Sequence, residues 1–138
     1  MEAHAAVEIH DSTLKLIESS DDDLVAVITA YVHRSPGRPG VDAGTGWSQT
    51  LQLRFLRGHA TGNLETIPME LLDGRLDASG ESWANLIPLP LNRLGPTTME
   101  LRGWNDLYIV IAGDGVTSTF LGPARYIEKF EASEGPTR

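Results

Sequence analysis

The 138-residue chain contains no cysteine. That absence excludes a disulfide framework, a thiolate zinc site, an iron–sulfur cluster and a cysteine nucleophile. It suits a reducing compartment, and a cytoplasmic location is expected. Basic residues are also scarce: two lysines and nine scattered arginines stand against 19 acidic residues, a formal net charge of −8. Much of the excess lies at the start, where Glu2, Glu8, Asp11, Glu18, Asp21, Asp22 and Asp23 face only Lys15. A field of this sign repels phosphate backbones, so nucleic-acid binding is not expected. Nowhere do roughly 18 apolar residues run together, and Met1 to Val7 lacks a basic segment leading into an apolar run. Neither a membrane span nor an export signal is expected. Helical periodicity is nearly absent as well.

What remains is a globular composition, with 41% hydrophobic and 22% charged residues. A chain of this length buries roughly 68% of the surface its unfolded form exposes, enough for a core without covalent staples. One β domain over residues 1–138 is expected, with an ordered core over about 6–131 and a loose tail at 132–138.

Alternation of apolar and polar residues dominates, the period of strands with one face on a core. In Trp47 to Arg57, Leu51, Leu53 and Phe55 share one face while Gln52, Arg54 and Leu56 share the other. Leu24 to His33 is apolar and β-branched on both parities, which predicts a central strand covered on both sides, and Asp21-Asp22-Asp23 marks the turn into it. Val7 to Glu18 reads as a first strand whose rhythm breaks at His10-Asp11-Ser12, predicting a bulge. Asp73-Gly74 and Asp114-Gly115, each between apolar residues, predict two tight hairpins. With the turn at Trp104-Asn105-Asp106, the second of these predicts a three-stranded meander over Met99 to Leu121. Ile87 to Leu91 holds two prolines, which fits an edge strand. Residues 123–131 fit either a short helix or a last strand. The sum is an all-β fold, a single antiparallel β-sandwich or flattened barrel of about eight strands, with one short C-terminal helix as an option.

Chemistry is sought first at histidine, which with a nearby carboxylate can bind metal or move protons near neutral pH. Pairing the strands at 24–33 and 47–57 separates His33 from His59 by roughly 30 Å, too far to share a metal. Folding 7–18 back through the acidic turn places His10 and Asp11 beside Val32 and His33. One end of the sheet then gathers His10, Asp11, His33, Arg34 and Trp47, beside a 13-residue loop from Arg34 to Gly46 that exceeds usual hairpin lengths. These five residues form the predicted binding site. No Gly-x-Ser-x-Gly elbow is present, and His10, Asp11 and Ser12 are consecutive, unlike a triad. Gly44-Thr45-Gly46-Trp47 lacks the Gly-Lys-Ser/Thr ending of a phosphate loop. No metal or cofactor is expected. Trp47, Trp83 and Trp104 all fall near turns, where a half-exposed indole can meet a sugar or a protein.

The string His10-Asp11-Ser12-Thr13-Leu14, followed by an acidic turn and an alternating strand, resembles the opening of uncharacterised small bacterial β-domain proteins, some of them similar to immunity proteins of toxin systems. Gly122-Pro123-Ala124-Arg125-Tyr126-Ile127-Glu128 has the same character. The resemblance implies a compact cytoplasmic binding domain and carries no site residues. Its acidic surface would suit a basic partner protein. The resulting expectation is a non-enzymatic binding or protein-interaction domain, with homodimerisation through the Ile87 to Leu91 edge as a further option. The alternative is a small-molecule-binding barrel or a small enzyme in which His10 or His33 is the acid or base and Arg34 holds an anion.

Overall fold

The computed structural model describes residues 4–131; the tail expected at 132–138 lies outside them. Nine strands, all antiparallel to their neighbours, follow in order: β1 (His4–Ser20), β2 (Asp23–Ser35), β3 (Gly44–Phe55), β4 (His59–Gly62), β5 (Met69–Ala78), β6 (Glu81–Ala84), β7 (Leu86–Leu89), β8 (Asn92–Gly103) and β9 (Tyr108–Phe130). A single 3-10 turn, Leu64–Thr66, precedes β5. The spatial order is β6-β5-β8-β9-β3-β2-β1-β7, and pairing of β5 with β1 closes six of the strands into a ring. The fold is therefore all-β and barrel-like, as the alternation predicts. No helix among the described residues is long and apolar enough to cross a membrane.

The inner face follows from strand parity. Leu24, Ala26, Ile28, Ala30 and Val32 of β2 meet Leu51, Leu53 and Phe55 of β3 inside the barrel. Ile9 and Leu14 of β1, Leu76 of β5, Met99 and Leu101 of β8, and Ile109 and Ile111 of β9 complete the core; each of these seven is fully buried. The outer parity of β2 is largely covered too, with Val25, Tyr31 and His33 buried, in keeping with its central position. β7 carries Pro88 and pairs only with β1, so it is the edge strand that the two prolines imply.

Both Asp-Gly predictions fail. Asp73-Gly74 lies within β5, where Gly74 pairs with Leu101. A Cβ on Gly74 would come 2.8 Å from Ile9 Cγ2 and 2.9 Å from the Glu100 carbonyl oxygen, so the glycine is there for close strand approach. Asp114-Gly115 lies within β9, where the Asp114 N–H donates to the Leu56 carbonyl (2.8 Å) and the Leu56 N–H to the Gly115 carbonyl (3.1 Å). The expected meander is accordingly two long strands, β8 and β9, and residues 123–130 continue β9 as strand rather than helix. The turn expected at Trp104-Asn105-Asp106 is present and joins β8 to β9, and a second tight turn, Ser79-Gly80, joins β5 to β6; Asn105, Asp106, Ser79 and Gly80 all take positive φ.

The bulge in β1 is present. The β1–β2 register runs regularly from Ser20↔Asp23 to Thr13↔Thr29 apart from one slip near Leu16, then resumes only at Glu8↔Tyr31. Asp11 takes φ 78°, the left-handed conformation that aspartate tolerates better than most residues. Buried Ser12 repairs the gap in the ladder: its hydroxyl donates to the Glu8 carbonyl (2.6 Å) and accepts from the Tyr31 N–H (3.0 Å). On the other side, Asn85 between β6 and β7 accepts from the Ile9 N–H through its carbonyl and from the His10 N–H through Oδ1, both at 2.8 Å, while its own N–H donates to Gly74. One asparagine thus joins β1 to β5 where the two strands part.

Candidate functional site

The five residues predicted to converge fall into three environments. His33 lies on the outer face of β2. Arg34 and Trp47 project from the inner parity at the barrel mouth, with the guanidinium 5.2 Å from the Trp47 ring centre and 5.9 Å from that of Phe120. Arg34 also donates to Gln49 Oε1 (3.0 Å). His10 and Asp11 stand on the bulge, both exposed, and point toward β5. The His10 Nδ1–H donates to the Leu72 carbonyl (2.9 Å), and its Nε2 lies 3.6 Å from Asp11 Oδ1. The expected His10–His33 neighbourhood fails because the bulge absorbs residues: His33 pairs with Ala6, four positions before His10.

The carboxylate that does reach His33 is Glu8. His33 Nε2 and Glu8 Oε1 are 2.6 Å apart, and since a carboxylate accepts, Nε2 carries the proton. The imidazole is only 7% exposed, and its buried Nδ1 meets no hydrogen-bonding partner. Tyr31 and Phe130 flank the ring, with centroids 5.0 and 5.2 Å away. The Tyr31 hydroxyl donates to Glu128 Oε2 at 2.5 Å. Burial, the bond to Glu128 and the charge of Glu8 hold the Tyr31 phenol well above the ordinary tyrosine range. Gly46 of β3 leaves the space that the Tyr31 hydroxyl occupies. Beside His33 is a recess of about 240 Å³ lined by His33, Gly40, Val41, Asp42, Phe130 and Glu131, so the long β2–β3 loop does border it.

A second region lies on the outside of β1, β5 and β8. Three adjoining recesses, of about 460, 460 and 330 Å³, share either Trp104 or the Glu100/Arg102 pair. Trp104, at the β8–β9 turn, is 55% exposed and Tyr108 39%. The lining carries five carboxylates (Asp11, Glu70, Asp73, Glu100, Asp106) and two guanidiniums. Both arginines already face acids, Arg102 at 3.7 Å from Asp73 and Arg75 at 3.1 Å from Asp77. The Tyr108 hydroxyl donates to Glu100 (3.1 Å), and desolvation together with that bond raises its pKa.

Glu8, Tyr31 and Glu128 escape the sequence reading, which singles out Trp104 as an indole near a turn but not the groove around it. Glu8 had a signal: it lies two residues from His10, and a register corrected for the bulge puts it on the outer face beside His33. Among the described residues, no three His, Asp or Glu side chains are placed to hold a metal ion. Comparison with family models, curated proteins and solved structures gave no significant match.

Proposed function

We propose that this protein is a non-enzymatic interaction domain that engages a basic segment of a partner protein along the groove at Trp104. The observation that carries the reading is the combination of a barrel filled by its own side chains with an open, acidic, aromatic-bearing groove outside it. A filled interior leaves no room for a ligand in the place where ligand-binding barrels hold one. An exposed indole flanked by Tyr108 is the kind of anchor that interfaces concentrate, and unneutralised carboxylates around it favour a cationic partner and speed its approach.

The test is titration with paired peptides, one rich in Lys and Arg around a central Leu, the other with those charges reversed. The basic peptide is expected to perturb the Trp104 indole signal, with affinity that falls as salt rises. Trp104→Ala should weaken binding by about tenfold or more. Equal binding of both peptides, or perturbation confined to residues outside the groove, would refute the reading.

The Glu8–His33 pair favours a second reading, in which His33 contacts a small molecule. His10 has no comparable carboxylate contact, and Arg34 spends its guanidinium on two rings and Gln49.

A further inference from the structure

The recess beside His33 offers an unusual set of groups for its size. Its lining joins a buried imidazole, two carboxylates (Asp42 and Glu131), the Phe130 ring and the apolar Val41. The Nε2–H tautomer that donates to Glu8 leaves Nδ1 as an acceptor, and that atom is buried without a hydrogen-bonding partner. A buried acceptor left unmade is costly, so the site favours whatever brings an N–H or O–H to it. Carboxylates and an aromatic face next to that lone pair select for positive charge.

We infer that this recess binds a primary alkylammonium group, with one N–H donated to His33 Nδ1, the charge shared by Asp42 and Glu131, and the adjoining methylenes against Phe130 and Val41. The inference deepens the small-molecule reading of His33 and is independent of the groove at Trp104. An organic cation fits better than a metal ion, since the donors do not converge as a coordination set. Nδ1 is closed off from solvent, with the Phe130 ring centred 5.2 Å from the imidazole, so binding requires a side chain of the recess wall to move aside. Asp42 also accepts from the Arg38 N–H (2.6 Å), which holds the loop in place as one wall.

The experiment uses the full chain labelled with 15N and long-range imidazole spectra, titrated in turn with n-butylammonium, tetramethylammonium and Zn2+ at matched ionic strength. Butylammonium is expected to move the His33 Nδ1 resonance saturably while the Trp104 indole signal stays put. Tetramethylammonium, which has charge but no N–H, should leave Nδ1 unmoved. Asp42→Asn and Glu131→Gln, both at exposed positions, should each weaken the response by about fivefold, in the range of one partly exposed charge contact. An equal response to tetramethylammonium, a tighter response to Zn2+ at the same nitrogens, or no saturable change at His33 would each overturn the inference. If instead butylammonium moves Trp104 and not His33, the cation belongs to the groove and the recess loses its role.

Discussion

The polar side chains of His33 and Tyr31 are buried and, His33 Nδ1 apart, bonded to carboxylates, whereas along the groove at Trp104 polar groups stand in solvent beside exposed rings. Both regions combine histidine, carboxylates and aromatic side chains. Their difference lies in strand position. His33 and Tyr31 sit on β2, with a strand on either side and the Glu128 and Phe130 side chains of β9 reaching across to them. The groove residues lie on β1, β5, β8, the β8–β9 turn and the start of β9, where they line recesses open to solvent. The same residue types therefore do different work: at the covered face a lost partner leaves a desolvated group behind, and at the open face it leaves a hydrated one.

That contrast can be broken by substitution. The largest effect is expected for Ser12→Ala, which removes the hydroxyl bridging Glu8 and Tyr31 across the bulge and strands two backbone groups. It should cost about 2 kcal/mol in chemical denaturation, and a near-neutral result would show that the bulge relaxes to satisfy them. Tyr31→Phe should cost about 1 kcal/mol at neutral pH. Its more specific mark is alkaline. The folded-state pKa of Tyr31 lies above the ordinary value of 10.0, so its contribution is complete below pH 10 and is lost as pH climbs through the folded value. The variant's stability curve should fall less steeply there than the parent's.

A smaller effect is expected at Asp23, which clamps the β2 start to the β3 end. It accepts from the Arg57 N–H (3.1 Å) and from Arg54 Nη1 (3.0 Å), and these bonds hold its pKa below the ordinary 3.8. The stabilisation is full above that value and disappears as pH falls through the lowered one. Asp23→Asn should therefore differ from the parent at neutral pH and converge with it in strong acid; a constant gap would assign the loss to geometry rather than charge. The smallest effect on stability is expected for Trp104→Ala, within about 0.5 kcal/mol. The same substitution should remove most of the iodide-quenchable tryptophan emission, because Trp47 and Trp83 are partly buried and Trp104 is not.

The fold class was legible because periodicity is local: Leu51, Leu53 and Phe55 announce an inner face without any knowledge of partners. The central place of β2 and the bulge at Asp11 were legible for the same reason. The Asp-Gly hairpins were not, since glycine serves close approach as well as turns, and only the neighbour, Ile9 against Gly74, tells the two apart. Within the site the residue types are legible but their register is not. The bulge at His10-Asp11-Ser12 takes up residues that uninterrupted pairing would set opposite β2, which is why Glu8 and not His10 meets His33. Arg34 and Trp47 share the end of the sheet with His33, but alternation sends them to the opposite face.

The ring itself is closed thinly. Where β1 meets β5, only Thr13↔Glu70 and Leu14↔Met69 pair, and beyond them the segment carrying β6 and β7 divides itself, one strand to each lip, with Asn85 between. In amide exchange this seam is expected to behave as the barrel's weakest stave. Backbone groups alternate sides, so of Thr13 and Leu14 one amide faces β5 and the other β2. The one at the seam should exchange through a local opening at a rate well above those of the β2–β3 pair, whose release requires the whole sheet to come apart.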